Sequence, residues 1–142
     1  MHNAVQSYAN TAKISLSGRD LEAHLLLKAA AKLQAIKDKW VQSETGVEAH
    51  LLDNRRLWDG WSAIETDLSE ALVYNRKLWT VFIGSVTDET SQLPKGIREN
   101  IANLGIFIFS RTVEIEASPV PVKLNALIDI NRNVAAGLRG QD

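Results

Sequence analysis

Two short stretches, NRRLW at residues 54–58 and NRKLW at residues 75–79, decide the fold of this chain. In each stretch Asn, Leu and Trp stand at positions i, i+3 and i+4, which places all three side chains on one face of an α-helix. The two basic residues between them lie toward the flank of that face. The repeat therefore predicts helices whose packing face includes an asparagine, and it does not indicate a catalytic motif.

Apolar residues recur every three or four positions through most of the chain, and its three prolines and most of its glycines fall between these periodic segments. This pattern predicts an all-α fold, an antiparallel helical bundle of about five helices plus a short N-terminal helix, in a single domain over residues 1–142. The predicted helices cover residues 2–14, 19–42, 47 to about 65, 68–86, 94–117 and 120–138. Thr66 or Asp67 is expected to cap the helix that begins at residue 68.

The stretch IFIFSRTVEI at residues 106–115 is as rich in β-branched and aromatic residues as a strand. The long flanking pattern, which begins at Pro94, favours a helix. That helix would carry two apolar stripes, one through Ile101 and Ile108 and the other through Ile106 and Val113. A helix that is apolar on two sides is expected to lie centrally in the bundle.

Three asparagines, Asn54, Asn75 and Asn131, fall on apolar stripes. One interpretation is that they bond the backbone or each other across a helix contact, which can fix the register of packed helices. The other interpretation is a ligand site built from Asn, Arg and Trp, in which Trp and Arg could stack a base. The first interpretation is favoured because the chain lacks the basic surplus that phosphate binding requires.

The composition excludes several classes of function. The chain has 142 residues, 16 basic and 17 acidic side chains and no cysteine. A net charge of −1 gives no basis for binding nucleic acid or a membrane surface, and the absence of cysteine excludes thiolate chemistry. The three histidines are far apart, no catalytic motif occurs, and neither a signal peptide nor a membrane span is predicted. We therefore predict a cytoplasmic protein that is not an enzyme and holds no metal or cofactor.

Longer segments in the second half resemble the FlaF family of flagellar-biosynthesis regulators of alphaproteobacteria. They are DLSEALVYNRKLWTVF at 67–82, LPKGIRENIANLGIFIFSRTVEI at 93–115 and LIDINRNVAAGLR at 127–139. LEAHLLLKAAAKLQAIKDKW at 21–40 is similar to the first helix of that family. Residues 41–66 look like an addition that partly duplicates its surroundings, and we expect residues 54–58 to form a separate helix stacked beside residues 75–79.

The resemblance implies a non-enzymatic cytoplasmic protein that binds flagellin as an export chaperone, alongside a second regulator called FlbT. Flagellin's terminal segments are disordered in the monomer, and an apolar groove between helices could hold one of them as an amphipathic helix. Two alternatives stay open, a scaffold that acts as an oligomer and a regulator that binds flagellin RNA.

The predicted partner-binding residues are aromatic, asparagine, arginine and leucine side chains on the family-like helices. For the aromatic residues a place in the core is the competing interpretation, and for the arginines an intramolecular ion pair. The candidates are Tyr74, Asn75, Arg76, Leu78, Trp79, Phe82, Asn100, Asn103, Leu104, Phe107, Arg111, Asn131 and Arg132.

Overall fold

A computed structural model describes residues 18–45 and 54–140, with side chains described over 18–43 and 60–140. This part of the chain forms four α-helices and no strand, which confirms the all-α prediction. The predicted helix at residues 2–14 lies outside the described residues. The helices are α1 (Gly18–Thr45), α2 (Asn54–Thr87), α3 (Lys95–Ala117) and α4 (Leu124–Arg139), with a 3₁₀ turn over Pro121–Lys123 before α4.

Helix α2 corrects the predicted number of helices, because it joins two segments that were predicted to form separate helices. It runs unbroken for 34 residues, so Thr66 and Asp67 lie inside it, exposed, and cap nothing. The apolar stripe continues in phase from Ile64 to Leu68 across these polar residues, and burial of that stripe outweighs their weak helix propensity. Four helices are therefore described where about five were predicted.

The same helix holds both five-residue repeats, so residues 54–58 do not form a separate helix stacked beside residues 75–79. Helix α2 begins at Asn54, and its second repeat lies three heptads further along. At a rise of about 1.5 Å per residue, the two repeats are about 30 Å apart along one axis.

Helix α3 confirms the helical interpretation of residues 106–115 and corrects its predicted central position. Its buried face consists of Ile101, Gly105, Ile108, Thr112 and Ile115. On the other stripe, Ile106 is 67% exposed and Val113 is 65% exposed. The reason is that α3 packs against α2 and, less extensively, against α4, so that no described helix covers its outer side.

The helices that follow each other along the chain run antiparallel. Trp40 near the end of α1 contacts Trp61 near the start of α2, with ring centroids 5.4 Å apart, whereas Leu21 lies near Phe82. Helices α2 and α3 are related in the same way. Trp61 near the start of α2 lines one cavity with Ile115 near the end of α3.

Helix α4 packs most extensively on α1 and completes the bundle. The core is made of apolar side chains from all four helices, with Trp79 fully buried among them. Its largest fully buried members besides Trp79 are Leu26, Leu33, Ile64, Leu72, Ile108, Ile115, Leu124, Leu127 and Ile128.

Candidate functional site: an apolar groove between α1 and α2

A buried hydrogen-bond network joins three helices at the centre of the bundle. Asn131 Nδ2 on α4 donates to Asn75 Oδ1 on α2 at 2.7 Å and to the backbone carbonyl of Leu26 on α1 at 3.3 Å. Trp79 Nε1 donates to Asn131 Oδ1 at 2.8 Å. Because indole is only a donor, it fixes which way the Asn131 amide points, and Asn131 in turn fixes Asn75.

This network confirms the interpretation that the asparagines bond each other and the backbone across a helix contact. It does so for Asn75 and Asn131, while the side chain of Asn54 lies outside the described residues. Among the predicted partner-binding residues, Asn75, Trp79, Phe82 and Asn131 are buried. Direct contact with a partner through Asn75, Trp79 or Asn131 would require the helices to separate, whereas Phe82 packs in the core and also lines a cavity between α1 and α2.

The other predicted residues of α2 and α4 lie apart from one another. Tyr74 and Leu78 are half-buried on the side of α2 that faces α1, and Lys32 Nζ lies 5.0 Å from the centre of the Tyr74 ring. Arg76 is exposed on another side of α2. Arg132 is exposed on α4 and donates to Gln34 Oε1 at 3.5 Å.

The predicted residues of α3 lie on its outer surface or its edge. Asn100 and Asn103 are exposed, Leu104 is half-buried, and Phe107 is 40% exposed. The guanidinium of Arg111 lies 5.3 Å from the Phe107 ring centre, and its Nε is 3.6 Å from Glu114. The structure therefore does not gather the predicted residues into one site.

A cavity of about 320 Å³ with a mainly apolar lining lies between α1 and α2 and is called here the α1–α2 groove. Two predicted residues, Leu78 and Phe82, line it. Val81, which is 71% exposed, also lines it and was missed by the sequence analysis, because it lies off the main apolar stripe of α2. The full lining is Gly18, Leu21, Glu22, Leu25, Leu26, Leu78, Val81, Phe82 and Ser85.

Glu22 is the only acidic residue in this lining. Its Oε1 accepts a hydrogen bond from Arg19, whereas its Oε2 is buried and has no hydrogen-bond partner among the described residues. Burial raises the pKa of the Glu22 carboxyl, and the charge and hydrogen bond of Arg19 oppose that effect.

Other features of the described residues add no chemical site. A second cavity between α1 and α2, about 420 Å³, is more open and is lined by charged residues, among them Lys32, Asp67 and Glu70. Over residues 18–45 and 54–140, no group of three or more His, Cys, Asp or Glu side chains could hold a metal ion. None of the described helices has the length and apolar character that crossing a bilayer requires.

Over the residues that the structure describes, these observations define a helical bundle with a polar network in its core and an apolar groove on its surface. The chain belongs to the FlaF family. The sequence model of the flagellar protein FlaF matches it over residues 4–63 and again over 59–138, which together cover nearly the whole chain. The two matches meet within residues 41–66, the stretch predicted to be an addition. No curated protein and no solved structure is significantly similar to the chain.

Proposed function

We propose that this flagellar protein is a cytoplasmic, non-enzymatic chaperone that binds flagellin and promotes its export. The α1–α2 groove holds an amphipathic terminal helix of flagellin. The single observation that carries this proposal is an exposed apolar groove in a member of the FlaF family. The predicted site is revised accordingly: Leu78 and Phe82 remain in it, and Leu21, Leu25 and Val81 join it.

The shape and chemistry of the groove suit one face of a helix. Leu21 and Leu25 stand one turn apart on α1, and Leu78 and Val81 stand one turn apart on α2, so the two helices offer parallel apolar walls. An amphipathic helix laid between them would insert side chains at i, i+3 or i+4, and i+7, the spacing of helix-in-groove recognition.

Binding of this kind is expected to be moderate in strength. A flagellin segment that is disordered before binding has to be ordered in the groove, and that ordering consumes part of the interaction free energy. A moderate affinity suits a chaperone that must release its cargo for export.

The test is titration calorimetry of the purified protein with monomeric flagellin, repeated with flagellin that lacks either terminal segment. We expect saturable one-to-one binding that disappears with one truncation. The variant Val81→Asp places a charge in the groove and should weaken binding at least about tenfold, because a buried carboxylate without a partner is costly.

The matched control is Val122→Asp. Val122 is 62% exposed, similar to Val81, and lies in the 3₁₀ turn away from the groove. This variant should bind flagellin like the wild-type protein. Absence of binding by the folded wild-type protein would exclude the chaperone function. Equal binding by both variants would leave the function standing and move the site elsewhere.

Binding to flagellin RNA is the second function to be separated from this one. It predicts a steep loss of affinity with rising salt, because phosphate contacts release counterions. The net charge of −1 does not favour it. A filter-binding titration with the flagellin leader at two salt concentrations measures this directly.

A further inference from the structure

The outer side of α3 carries an apolar stripe that no described helix covers, called here the α3 stripe. It consists of Ala102, Ile106, Phe109 and Val113, which follow each other at steps of four, three and four residues. Ile106 and Val113 are largely exposed, and Ala102 and Phe109 are half-buried. Alternating steps of three and four residues form the seam of a coiled coil, so this stripe has the spacing that a partner helix requires.

The spacing of the α3 stripe reads the same in both directions along the helix. If two copies of α3 pair antiparallel, Ile106 lies opposite Phe109 of the second copy, and Ala102 lies opposite Val113 of the second copy. The two central contacts then join large residues, Ile106 and Phe109. The two outer contacts join a small residue, Ala102, to the larger Val113. A twofold contact of this kind uses the same surface on both subunits.

Charged residues at the two ends of the stripe distinguish the possible occupants. Near the start of α3, Lys95, Arg98 and Glu99 line one cavity together with Ala102. Lys95 Nζ lies 3.8 Å from Glu99 Oε1, whereas the Arg98 side chain bonds no described residue. This end of the stripe therefore carries a net positive charge and an arginine that is not paired within the described chain.

The opposite end of the stripe is acidic. Glu116 on α3 and Glu65 on α2 line one cavity there with Trp61, Ser69 and Pro119. Neither glutamate forms an ion pair with any residue that the structure describes. In an antiparallel pair of α3 helices, Arg98 lies beside Glu116 of the second copy, and this happens twice by symmetry. A parallel pair would place like charges together.

We propose that this protein forms a reversible antiparallel dimer through the α3 stripe. The occupant is a second copy of the chain, because the stripe is complementary to itself in both apolar spacing and end charge. The contact spans about three turns of one helix from each subunit. The area that it buries is therefore small compared with the roughly 800 Å² that a standard stable interface buries on each partner. The dimer is therefore expected to dissociate on dilution.

The first test is sedimentation equilibrium over a range of protein concentrations. The wild-type mass should rise from 15.7 kDa toward twice that value as concentration increases. Ile106→Asp, and independently Val113→Asp, should raise the dissociation constant at least about tenfold, because each places a carboxylate in an apolar contact. Both side chains are exposed in the single chain, so the fold should be kept, which circular dichroism checks. Val122→Asp is the matched control and should dimerise like the wild-type protein.

The second test exchanges the end charges. Arg98→Glu and Glu116→Arg should each weaken the dimer several-fold, since each places like charges together at both ends of the contact. The double variant, Arg98→Glu with Glu116→Arg, should restore dimerisation, because opposite charges meet again. Only an antiparallel dimer can be restored in this way. In a parallel pair, residue 98 lies beside residue 98 of the second copy and residue 116 beside residue 116, so like charges meet in every variant.

Three results would overturn the proposal. One is a wild-type mass that stays at that of a single chain at all concentrations, and another is a dimer that Ile106→Asp and Val113→Asp leave unchanged. The third is a double charge variant that is no better than the two single ones, which would exclude the antiparallel arrangement. None of these experiments contains flagellin, so their outcome is independent of the chaperone function.

Discussion

At the scale of single residues, Asn131 makes the contacts that join three helices. Its amide nitrogen donates hydrogen bonds to the Leu26 carbonyl on α1 and to Asn75 Oδ1 on α2. Its amide oxygen accepts a hydrogen bond from the indole N–H of Trp79. Each of these groups is removed from water by the surrounding core. The network therefore specifies how α1, α2 and α4 are aligned, because a shift of one helix would leave several buried polar groups without partners.

We expect Asn131→Leu to lower the free energy of unfolding by about 3 kcal/mol, because it leaves the buried indole N–H of Trp79 without an acceptor and the buried Asn75 Oδ1 without a donor. Urea denaturation followed by circular dichroism measures the change. Asn133→Leu is the control, since Asn133 is exposed on the same helix and the change should be small. A loss of stability no larger than that of the control would show that the network contributes little.

Glu22 makes stability depend on pH in a direction opposite to that of most carboxylates. Burial raises the pKa of its carboxyl above the ordinary value of 4.5, so the folded protein binds this proton more tightly than the unfolded chain does. This tighter proton binding by Glu22 stabilises the folded protein. Its contribution to the free energy of unfolding is complete below pH 4.5 and is lost as the pH rises through the raised pKa of Glu22.

We therefore expect Glu22→Gln to match the wild-type protein below pH 4.5 and to be more stable than it at neutral pH. Free energies of unfolding from urea titrations across this range measure the difference. Arg19→Gln should lower the stability of the wild-type protein further at neutral pH, because Arg19 opposes the burial effect. A wild-type protein that gains stability relative to Glu22→Gln as pH rises would contradict the assignment.

At the scale of elements, the contact between α2 and α3 depends on a glycine. A Cβ built on Gly105 would overlap Ile83 Cδ1 and would lie 3.6 Å from Trp79 Cε3. The absence of a side chain at this position therefore allows α3 to approach α2 closely enough to bury its inner face. Ile83 is half-buried at the contact, so its side chain would have to change rotamer to admit even a methyl group.

We expect Gly105→Ala to lower the free energy of unfolding by about 1 kcal/mol, because overpacking outweighs the gain in helix propensity. In an Ile83→Ala background the same change should instead stabilise by about 1 kcal/mol, since only the propensity gain remains. Gly84→Ala is the control. A Cβ at position 84 has no atom within 4 Å, so Gly84→Ala should raise the free energy of unfolding. Thermal unfolding of the four variants measures this coupling, and equal effects in both backgrounds would contradict it.

At the scale of the whole molecule, the structure presents two separate apolar surfaces. The α1–α2 groove and the α3 stripe share no residue, because the groove lies between α1 and α2 and the stripe lies on the outer side of α3. If both proposals hold, a dimer formed through the stripe leaves the grooves of its two subunits open. A dimer could then hold two flagellin segments.

We expect the two surfaces to act independently. Ile106→Asp should weaken dimerisation at least about tenfold and leave flagellin affinity within about twofold of wild type, because distant sites without shared partners are additive. Val81→Asp should weaken flagellin binding at least about tenfold and leave dimerisation within about twofold of wild type. Calorimetry and sedimentation of the same samples measure both quantities. Strong weakening of both activities by either variant would show that the surfaces are coupled.

Several features could be predicted from the sequence because they depend on local order along the chain. The three- and four-residue spacing predicted helices, and the identical positions of Asn in its repeats predicted polar groups on the packing face. The resemblance of NRKLW and the segments around it indicated the FlaF family, which the family match confirms.

The tertiary structure decided which face of each helix is covered, because burial depends on neighbours that are distant in sequence. Helix α3 has two apolar stripes of similar composition, and only its packing against α2 shows that one is buried and the other exposed. The same packing places Trp79 in the core while Val81, two residues further on, lines a groove. Periodicity thus determined the helices, and contacts between them determined which surfaces remain free to bind a partner.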